Sequence, residues 1–265
     1  MATGLPITGI VRPSGDDLPI YDPILELAGI PDLVGVWAPD ADYVVRDSGG
    51  VSSIASQYGD IDLLPLLTGR PSFVEHDAML DESALRFAAA NNALLRGIPV
   101  ASFWGWTAIL LLRPSTADLT TNYHLKAYAA LESGSYEISW RTTATGGHAA
   151  VKSTTIPVTP QLGTGAGTIN LGKYSTLIYR ATPDAVSVFK DGGKTEFAGA
   201  MPAPDGPTLL YLGGRPNAAG TASSGSYDGL LGAAVVYGRA LTDAEVAQAY
   251  RAIRDMHPGA VPGTF

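Results

Sequence analysis

Carboxylates are the first candidates for chemistry in this chain, because two of them a few ångströms apart can act as an acid and a base or as a nucleophile. Glu132 and Glu137 are five residues apart with a turn between them, which places them on opposite faces of a strand pair. Two further pairs lie in loop-like sequence: Asp60 with Asp62, and Asp81 with Glu82. We interpret all of these groups as solvated surface carboxylates and predict no catalytic residue.

Metal ligands and cofactor motifs are sparse. The chain has no cysteine, and its four histidines form no H-x-x-x-H pair: His76, His124, His148 and His257. Asp40 and Asp42 begin a pattern like that of an EF-hand, but the following positions do not continue it. The glycine loop "GTGAGT" (163–168) lacks the lysine and helix that phosphate binding needs. We therefore predict no cofactor and no metal site, and leave structural Ca²⁺ in the loops as an alternative.

Aromatic side chains are a third source of chemistry, because their rings can stack on sugars. The four tryptophans lie in apolar or alternating segments, so core packing is the better interpretation of Trp37, Trp104, Trp106 and Trp140. Tyr211, Arg215 and Asn217 lie at the mouth of a glycine-rich loop. These three residues are the candidate glycan contacts of the sequence.

The composition argues against binding of nucleic acid and against insertion into a membrane. The 265 residues carry a net charge of −8 with only 17 Lys and Arg and no basic run, which argues against binding of nucleic acid. The longest strongly apolar run, "WTAILLL" (106–112), is far shorter than the roughly 20 residues that a membrane-spanning helix requires. We expect no membrane insertion, and the N-terminus has no basic start typical of a secretory signal. The 31 glycines and 19 prolines favour a turn-rich all-β protein.

From residue 33 onward the chain reads as short strands. Alternating or continuously apolar segments predict strands at 33–37, 51–56, 83–88, 101–114, 122–129, 135–142, 173–181, 184–197 (two strands about a turn), 207–214 and 227–238, whereas 62–76 reads as a loop. Asp191-Gly192 between two alternating runs predicts a two-residue hairpin turn. Ten or more strands at this spacing predict an all-β fold, an antiparallel jelly-roll β-sandwich.

A helix is predicted at the C-terminal end of this body. Thr242 and Glu245 have the spacing of a capping box, and Leu241 with Val246 has that of a hydrophobic staple. Apolar residues then recur at helical spacing, and Pro258 stops the helix. We predict a helix of three to four turns that packs on the sandwich.

The first 32 residues differ from the body, residues 33–265. Five prolines exclude a long helix, yet the segment is too rich in Leu and Ile for a solvated linker. We predict an extended attachment arm that lays apolar side chains on this protein's own body or on a partner. Its proposed contact residues are Leu5, Pro6, Ile7, Ile10, Pro19 and Ile20.

The segment "YDGLLGAAVVYGRALTDAEVAQAY" (227–250) resembles the closing signature of concanavalin A-like, laminin-G-like lectin and glucanase domains. "VSVFKDGGK" (186–194) and "LLYLGGRPN" (209–217) resemble the Asp-Gly hairpin and the glycine-ended strand of that family. The resemblance extends over about residues 33–256 and is of the kind found in bacterial and phage proteins. It implies a lectin-like β-sandwich, and the arm resembles N-terminal segments of phage fibre and head- or tail-attached proteins.

Two departures from the family concern its sites. Relatives often carry an acidic pair where this chain has Gly232 and Ala233, so a ligand role for these positions is in doubt and the strand is apolar on both faces. Such a strand is expected to be covered by the helix, by the arm or by another subunit. The Glu-x-Asp-x-x-Glu strand of the glycan-hydrolysing members is also missing. We therefore expect the chain not to be an enzyme.

These observations favour a non-enzymatic virion structural protein, a decoration or fibre component that displays a lectin-like domain toward host surface glycans. Its expected partners are other virion proteins (capsid, tail or fibre), copies of itself in a homo-oligomer such as a trimer, and host glycans, and its expected location is the virion. Two alternatives remain: a free bacterial carbohydrate-binding lectin module, and a polysaccharide hydrolase or lyase.

Overall fold

The computed structural model describes residues 22–261 apart from 89–92, 94, 103, 116–121, 132–133, 144–145, 154–160, 164–170, 192, 199–207 and 217–222. For residues 96–97, 122–131, 134–143, 146–153, 161–163, 197–198, 215–216 and 223–226 it describes the backbone alone. Within these ranges, neither helix is long and apolar enough to span a membrane.

The described residues include two helices and eighteen strands. Helix α1 covers Pro23–Ala28 and helix α2 covers Asp243–Met256. The strands are β1 (Leu33–Trp37), β2 (Val44–Asp47), β3 (Gly50–Ile54), β4 (Ser72–Asp77), β5 (Glu82–Phe87), β6 (Leu95–Val100), β7 (Trp106–Pro114), β8 (Asn122–Leu131), β9 (Gly134–Thr143), β10 (Gly146–Ser153), β11 (Gln161–Gly163), β12 (Ser175–Ala181), β13 (Ala185–Lys190), β14 (Gly193–Ala198), β15 (Thr208–Leu212), β16 (Gly214–Pro216), β17 (Ser223–Ser226) and β18 (Gly229–Tyr237).

The strands form two large antiparallel sheets. The first has the order β14-β13-β12-β7-β18-β5-β4, and β1 continues beyond β5 along the same side of β18. The second has the order β11-β10-β9-β8-β15-β6. Two short hairpins, β2–β3 and β16–β17, lie outside these sheets. The predicted all-β antiparallel sandwich with a C-terminal helix is confirmed.

Two apolar clusters hold the layers together. The first combines side chains of both sheets and includes Trp37, Trp104 and Trp106, so core packing is confirmed for these three. The side chain of Trp140 is outside the described set. The second cluster lies between the outer face of the first sheet and the two helices, with Leu27 of α1 and Ile253 of α2 among its members. The fold is therefore a sandwich with a helical layer on one face.

Strand β18 is the centre of both clusters. All nine of its residues are buried; Leu231, Ala234 and Val236 belong to the first cluster, and their neighbours belong to the second. The phenol of Tyr237 donates a hydrogen bond to the carbonyl of Leu27 (3.1 Å), which joins β18 to α1. Burial raises the pKa of Tyr237 well above its usual range. The expectation that this apolar strand is covered is confirmed, and both helices cover it.

The capping box of α2 is confirmed. The hydroxyl of Thr242 accepts from the Glu245 amide (3.3 Å), and the Glu245 carboxylate accepts from the Thr242 amide (2.8 Å). Arg239 donates to both oxygens of Glu245, at 2.9 and 2.6 Å. This arginine, followed by the cap, lowers the pKa of Glu245 to about 2. Leu241 and Val246, the predicted staple pair, are both buried in the second cluster.

Two segments differ from the sequence interpretation. Residues 72–77 form strand β4 instead of a loop, because Phe73 and Val74 pair with Leu85 and Ala84 of β5. Within the predicted arm, residues 23–28 form helix α1, and Leu27 and Ile30 are buried against the body. Residues 1–21, with all six proposed contact residues of the arm, lie outside the described residues.

Candidate functional site

A cleft of about 580 Å³ opens beside edge strand β4. Its walls are the start of α1, the loop after β1, the β4–β5 hairpin and the end of α2. Six carboxylates line it: Asp22, Asp40, Glu75, Asp81, Glu82 and Asp255. His76 and Gln57 line it as well, and no lysine or arginine does so among the described residues. The cleft therefore presents mainly hydrogen-bond acceptors.

The β4–β5 hairpin is held rigidly by a buried carboxylate in its turn. Asp77 is 7% exposed, and its Oδ1 accepts from the amides of Met79 (3.1 Å) and Leu80 (3.2 Å). Arg113 of β7, which is separated from the hairpin by β18, pairs with the second oxygen of Asp77 at 2.9 Å. Asp81 has a positive φ of 59°, a conformation that Asp tolerates better than most residues. These interactions fix the turn that carries the acids of the cleft.

A buried imidazole supports one of these acids from behind. His257 caps the end of α2 and is 1% exposed, and its Nδ1 lies 2.9 Å from Oε2 of Glu82. Within the described residues neither ring nitrogen of His257 makes a hydrogen bond of good geometry. The approach of Nδ1 to Glu82 is therefore a close contact between two polar groups. The Glu82 side chain remains 52% exposed. Its carboxylate thus lies between the imidazole and the open cleft.

Two of the other carboxylates have cationic partners that do not line the cleft. Arg46 lies 3.1 Å from Glu75, and Arg254 lies 2.9 Å from Asp255. The first pair is largely exposed, and exposed pairs of this kind are weak because solvent screens them. Six carboxylates against two such arginines leave the cleft with an excess of negative charge at neutral pH.

Exposed aromatic rings occur on the segments that form one wall of the cleft. Tyr58 follows Gln57 and is 41% exposed, and Tyr43 lies two residues after Ala41 and is 36% exposed. The two segments are joined by a backbone hydrogen bond from Ala55 to Tyr43 (2.8 Å). The Oε1 atom of Gln57 is buried and has no hydrogen-bond donor among the described residues. Neither ring lines the cleft, and the buried Gln57 oxygen is not open to it.

The arrangement suits a ligand rich in O–H or N–H donors. Metal binding has less support, because no group of three or more His, Asp or Glu side chains in the described part of the chain has the geometry to hold an ion. Glu82 and its neighbours can accept protons or hydrogen bonds. No cofactor-binding loop is found around the cleft within the described ranges.

The glycan contacts proposed from the sequence lie elsewhere. Tyr211 is half-buried in β15 of the second sheet, and Arg215 is in the β16–β17 hairpin with its side chain outside the described set. Asn217 lies outside the described residues. Neither Tyr211 nor Arg215 lines the cleft. Their role as glycan contacts stays a prediction.

Sequence reasoning missed the residues of the cleft because it took 62–76 for a loop and Asp81 and Glu82 for isolated surface acids. The signal was present in "SFVEHDAMLDESALRF" (72–87), where two alternating runs flank a short turn. Reading that segment as a hairpin brings Glu75, His76, Asp81 and Glu82 to one end. The contributions of Asp40 and Asp255 required the three-dimensional fold.

Comparison with family models and with curated proteins gave no match. Solved structures with a similar fold include the Trypanosoma rangeli sialidase in complex with sialic acid (TM-score 0.59, 16% identity, 86% of this chain and 34% of the sialidase). Another is domain 4 of a GH43 extracellular arabinanase from Geobacillus stearothermophilus in complex with arabinotriose (TM-score 0.55, 16% identity, 82% of this chain and 98% of the domain). The chain thus spans about a third of the sialidase. At these identities the likeness shows the fold.

These comparisons correct the functional expectation. The chain was expected to be a non-enzymatic structural protein of a virion, yet the structures that share its sandwich come from enzymes, a sialidase and an arabinanase. The prediction of a non-enzymatic virion structural protein is therefore wrong, and so is the prediction that the chain is not an enzyme. The missing Glu-x-Asp-x-x-Glu strand misled the sequence interpretation, because it tests for one family of hydrolases only.

Proposed function

We propose that this chain is a concanavalin A-like, laminin-G-like glycan-binding domain of a polysaccharide-active protein, and that the β4–β5 cleft binds the oligosaccharide. Support comes from the β-sandwich, from the resemblance of residues 227–250 and from the similar arabinanase domain, whose structure contains arabinotriose. Because that domain is matched over 98% of its length, the comparison favours a separate module over a fragment of a catalytic domain.

The observation that carries the proposal is the chemistry of the cleft wall. Sugar hydroxyls are donors that satisfy the carboxylate oxygens lining the cleft. The turn held by Asp77 and Arg113 keeps Asp81 and Glu82 in place before a ligand arrives. A preformed site of this kind loses less conformational entropy on binding.

Calorimetric titration with neutral oligosaccharides, including arabinotriose and an N-acetylglucosamine trimer, tests the proposal. We expect binding to the full chain and a loss of about tenfold in affinity for Glu82→Gln and for Asp81→Asn, the size of one lost hydrogen bond. Asp184→Asn is the matched control, because Asp184 is an exposed carboxylate between β12 and β13, across the sheet from β4. Undiminished binding by both cleft variants would contradict the assignment of the site.

Glycoside cleavage in the same cleft is a second candidate. It is favoured by the different surroundings of its carboxylates, because Glu82 contacts a buried imidazole whereas the Asp81 side chain is almost fully exposed. Unequal surroundings are how one carboxyl becomes an acid and another a base. Release of new reducing ends from a polysaccharide, abolished by Glu82→Gln and unchanged by Asp184→Asn, is the expected result. Equal rates in both variants would exclude the cleft as the catalytic site.

A further inference from the structure

We infer that the cleft is selective for glycans that carry free, protonated amino groups, such as de-N-acetylated hexosamine polymers, and that it disfavours acidic sugars. The inference rests on the proposed function, since it names the class of glycan that the same cleft takes. It begins from the charge of the walls. Six carboxylates line the cleft without a lining lysine or arginine among the described residues, and the two arginines that pair with them approach from outside.

Charge of one sign in a concave surface is reinforced by the low-dielectric walls. An ammonium group on the ligand is attracted by each carboxylate, and a carboxylate group on the ligand is repelled by each. An acidic sugar would need a cationic partner, and the described lining residues supply none apart from His76. His76 itself is 3.9 Å from Asp81, so that acid already opposes it.

The hydrogen-bonding groups of the cleft also favour an amine. The acceptors that face the cleft are chiefly the oxygens of its six carboxylates. A protonated amine offers three donors and no acceptor, which matches a wall of carboxylate oxygens. An N-acetyl group in its place offers one N–H, removes the charge and adds a carbonyl acceptor that these oxygens cannot satisfy.

The imidazole behind Glu82 adds an independent observation. His257 is buried, its ring nitrogens make no aligned hydrogen bond within the described residues, and its Nδ1 is directed toward the acid cluster at 2.9 Å from Glu82. A buried polar side chain is normally hydrogen-bonded, so this one is explained best by a role in the site. Contact with His257 limits the positions open to Glu82 and so keeps its carboxylate on the cleft wall.

The test is a calorimetric comparison of three trimers on the full chain at pH 6 and low salt: glucosamine, N-acetylglucosamine and galacturonic acid. We expect the glucosamine trimer to bind at least tenfold more tightly than the acetylated trimer, the galacturonic acid trimer to bind most weakly, and the tenfold preference to shrink as NaCl is raised to 300 mM. Glu82→Gln should reduce the preference several-fold, whereas Asp184→Asn, which removes the same charge elsewhere, should leave it unchanged.

The outcomes separate the two proposals. Equal binding of the glucosamine and N-acetylglucosamine trimers overturns the inference and leaves glycan binding in place. Tightest binding of the galacturonic acid trimer also overturns it. An equal loss of preference in Glu82→Gln and Asp184→Asn shows attraction to the whole acidic protein and overturns a role for the cleft. If no trimer binds, and arabinotriose also fails, the proposed function and the inference both fail.

Discussion

Strand β18 and the β4–β5 hairpin are neighbours in one sheet, yet they have opposite characters. β18 is buried over its full length, and its side chains, apart from the Tyr237 hydroxyl, are entirely apolar. The hairpin carries Glu75, His76, Asp81 and Glu82 at an exposed end. The resemblance to lectin-like domains directs attention to β18, where relatives carry acids. In this chain the acids lie on the adjacent β4–β5 hairpin, and Gly232 of β18 lines the same cleft without contributing an acid.

Packing explains why β18 has no acids. A Cβ atom on Gly232 would lie 3.1 Å from Leu111 and 3.2 Å from Leu80, and Ala233 is fully buried beneath the helices. The register of β18 against β7 also shifts between Leu231 and Ala233, as at a β-bulge. With α1 and α2 on this face, the strand mainly supports the fold; of its nine residues only Gly232 lines the cleft, and the acids lie on the hairpin at the open edge.

The largest effect is expected where an acid is restored to the buried strand. Ala233→Asp places an unpaired charge between β18 and the helices, and we expect it to lower the free energy of unfolding by ~4 kcal/mol or to prevent folding. Ala41→Asp introduces the same group on the exposed cleft wall and should change stability by less than ~0.5 kcal/mol. Urea denaturation followed by circular dichroism measures both. Similar losses of unfolding free energy in the two variants would contradict the difference between the buried strand and the exposed cleft wall.

The second effect concerns the support of the hairpin. Asp77→Ala leaves the partly buried Arg113 without its partner and the turn without its acceptor, and should cost ~3 kcal/mol. The exposed Asp184→Ala should cost less than ~0.5 kcal/mol in the same urea titration. If the two substitutions have equal effects, the hairpin is not held by this buried pair.

The helical cover of β18 gives a smaller effect. Ile253 is buried in the second cluster, and Ile253→Ala should lower the free energy of unfolding by ~2 kcal/mol through lost contacts and a cavity. Arg251 lies on the exposed side of the same helix, so Arg251→Ala is the matched control. Thermal unfolding of both variants distinguishes packing from helix propensity, and an unchanged midpoint for Ile253→Ala would contradict the assignment of α2 to the core.

The smallest effect depends on pH. In the folded chain the pKa of Glu245 is lowered to about 2, chiefly by Arg239, so its stabilising contribution is fully present above about pH 4.5 and is lost as the pH falls toward 2. Glu245→Gln should therefore cost ~1 kcal/mol at pH 7 and progressively less below pH 4.5. Unfolding free energies at pH 7, 4 and 2.5 check this, and a difference that stays constant would show that the charge of Glu245 has no part in the cap.

Sequence patterns predicted the sandwich, the buried tryptophans of the described chain and the cap of α2, because alternation, continuous apolar runs and the Thr242–Glu245 spacing act locally. They did not predict β4, since Pro65 and Pro71, which precede it, obscured the alternation around Phe73. The cleft was beyond local reasoning, because Asp40, Glu82 and Asp255 meet only through the packing of three distant segments. Homo-oligomerisation and attachment through residues 1–21 remain predictions.

Amide hydrogen exchange with and without a saturating oligosaccharide tests the central claim most directly, since it reports where the ligand lies. The account predicts slower exchange in residues 72–83 and 38–43, with β18 already protected in the free chain and unchanged by the ligand. Slower exchange confined to residues 208–216, around Tyr211 and Arg215, would show that the glycan binds at the second sheet and would contradict the assignment of the β4–β5 cleft.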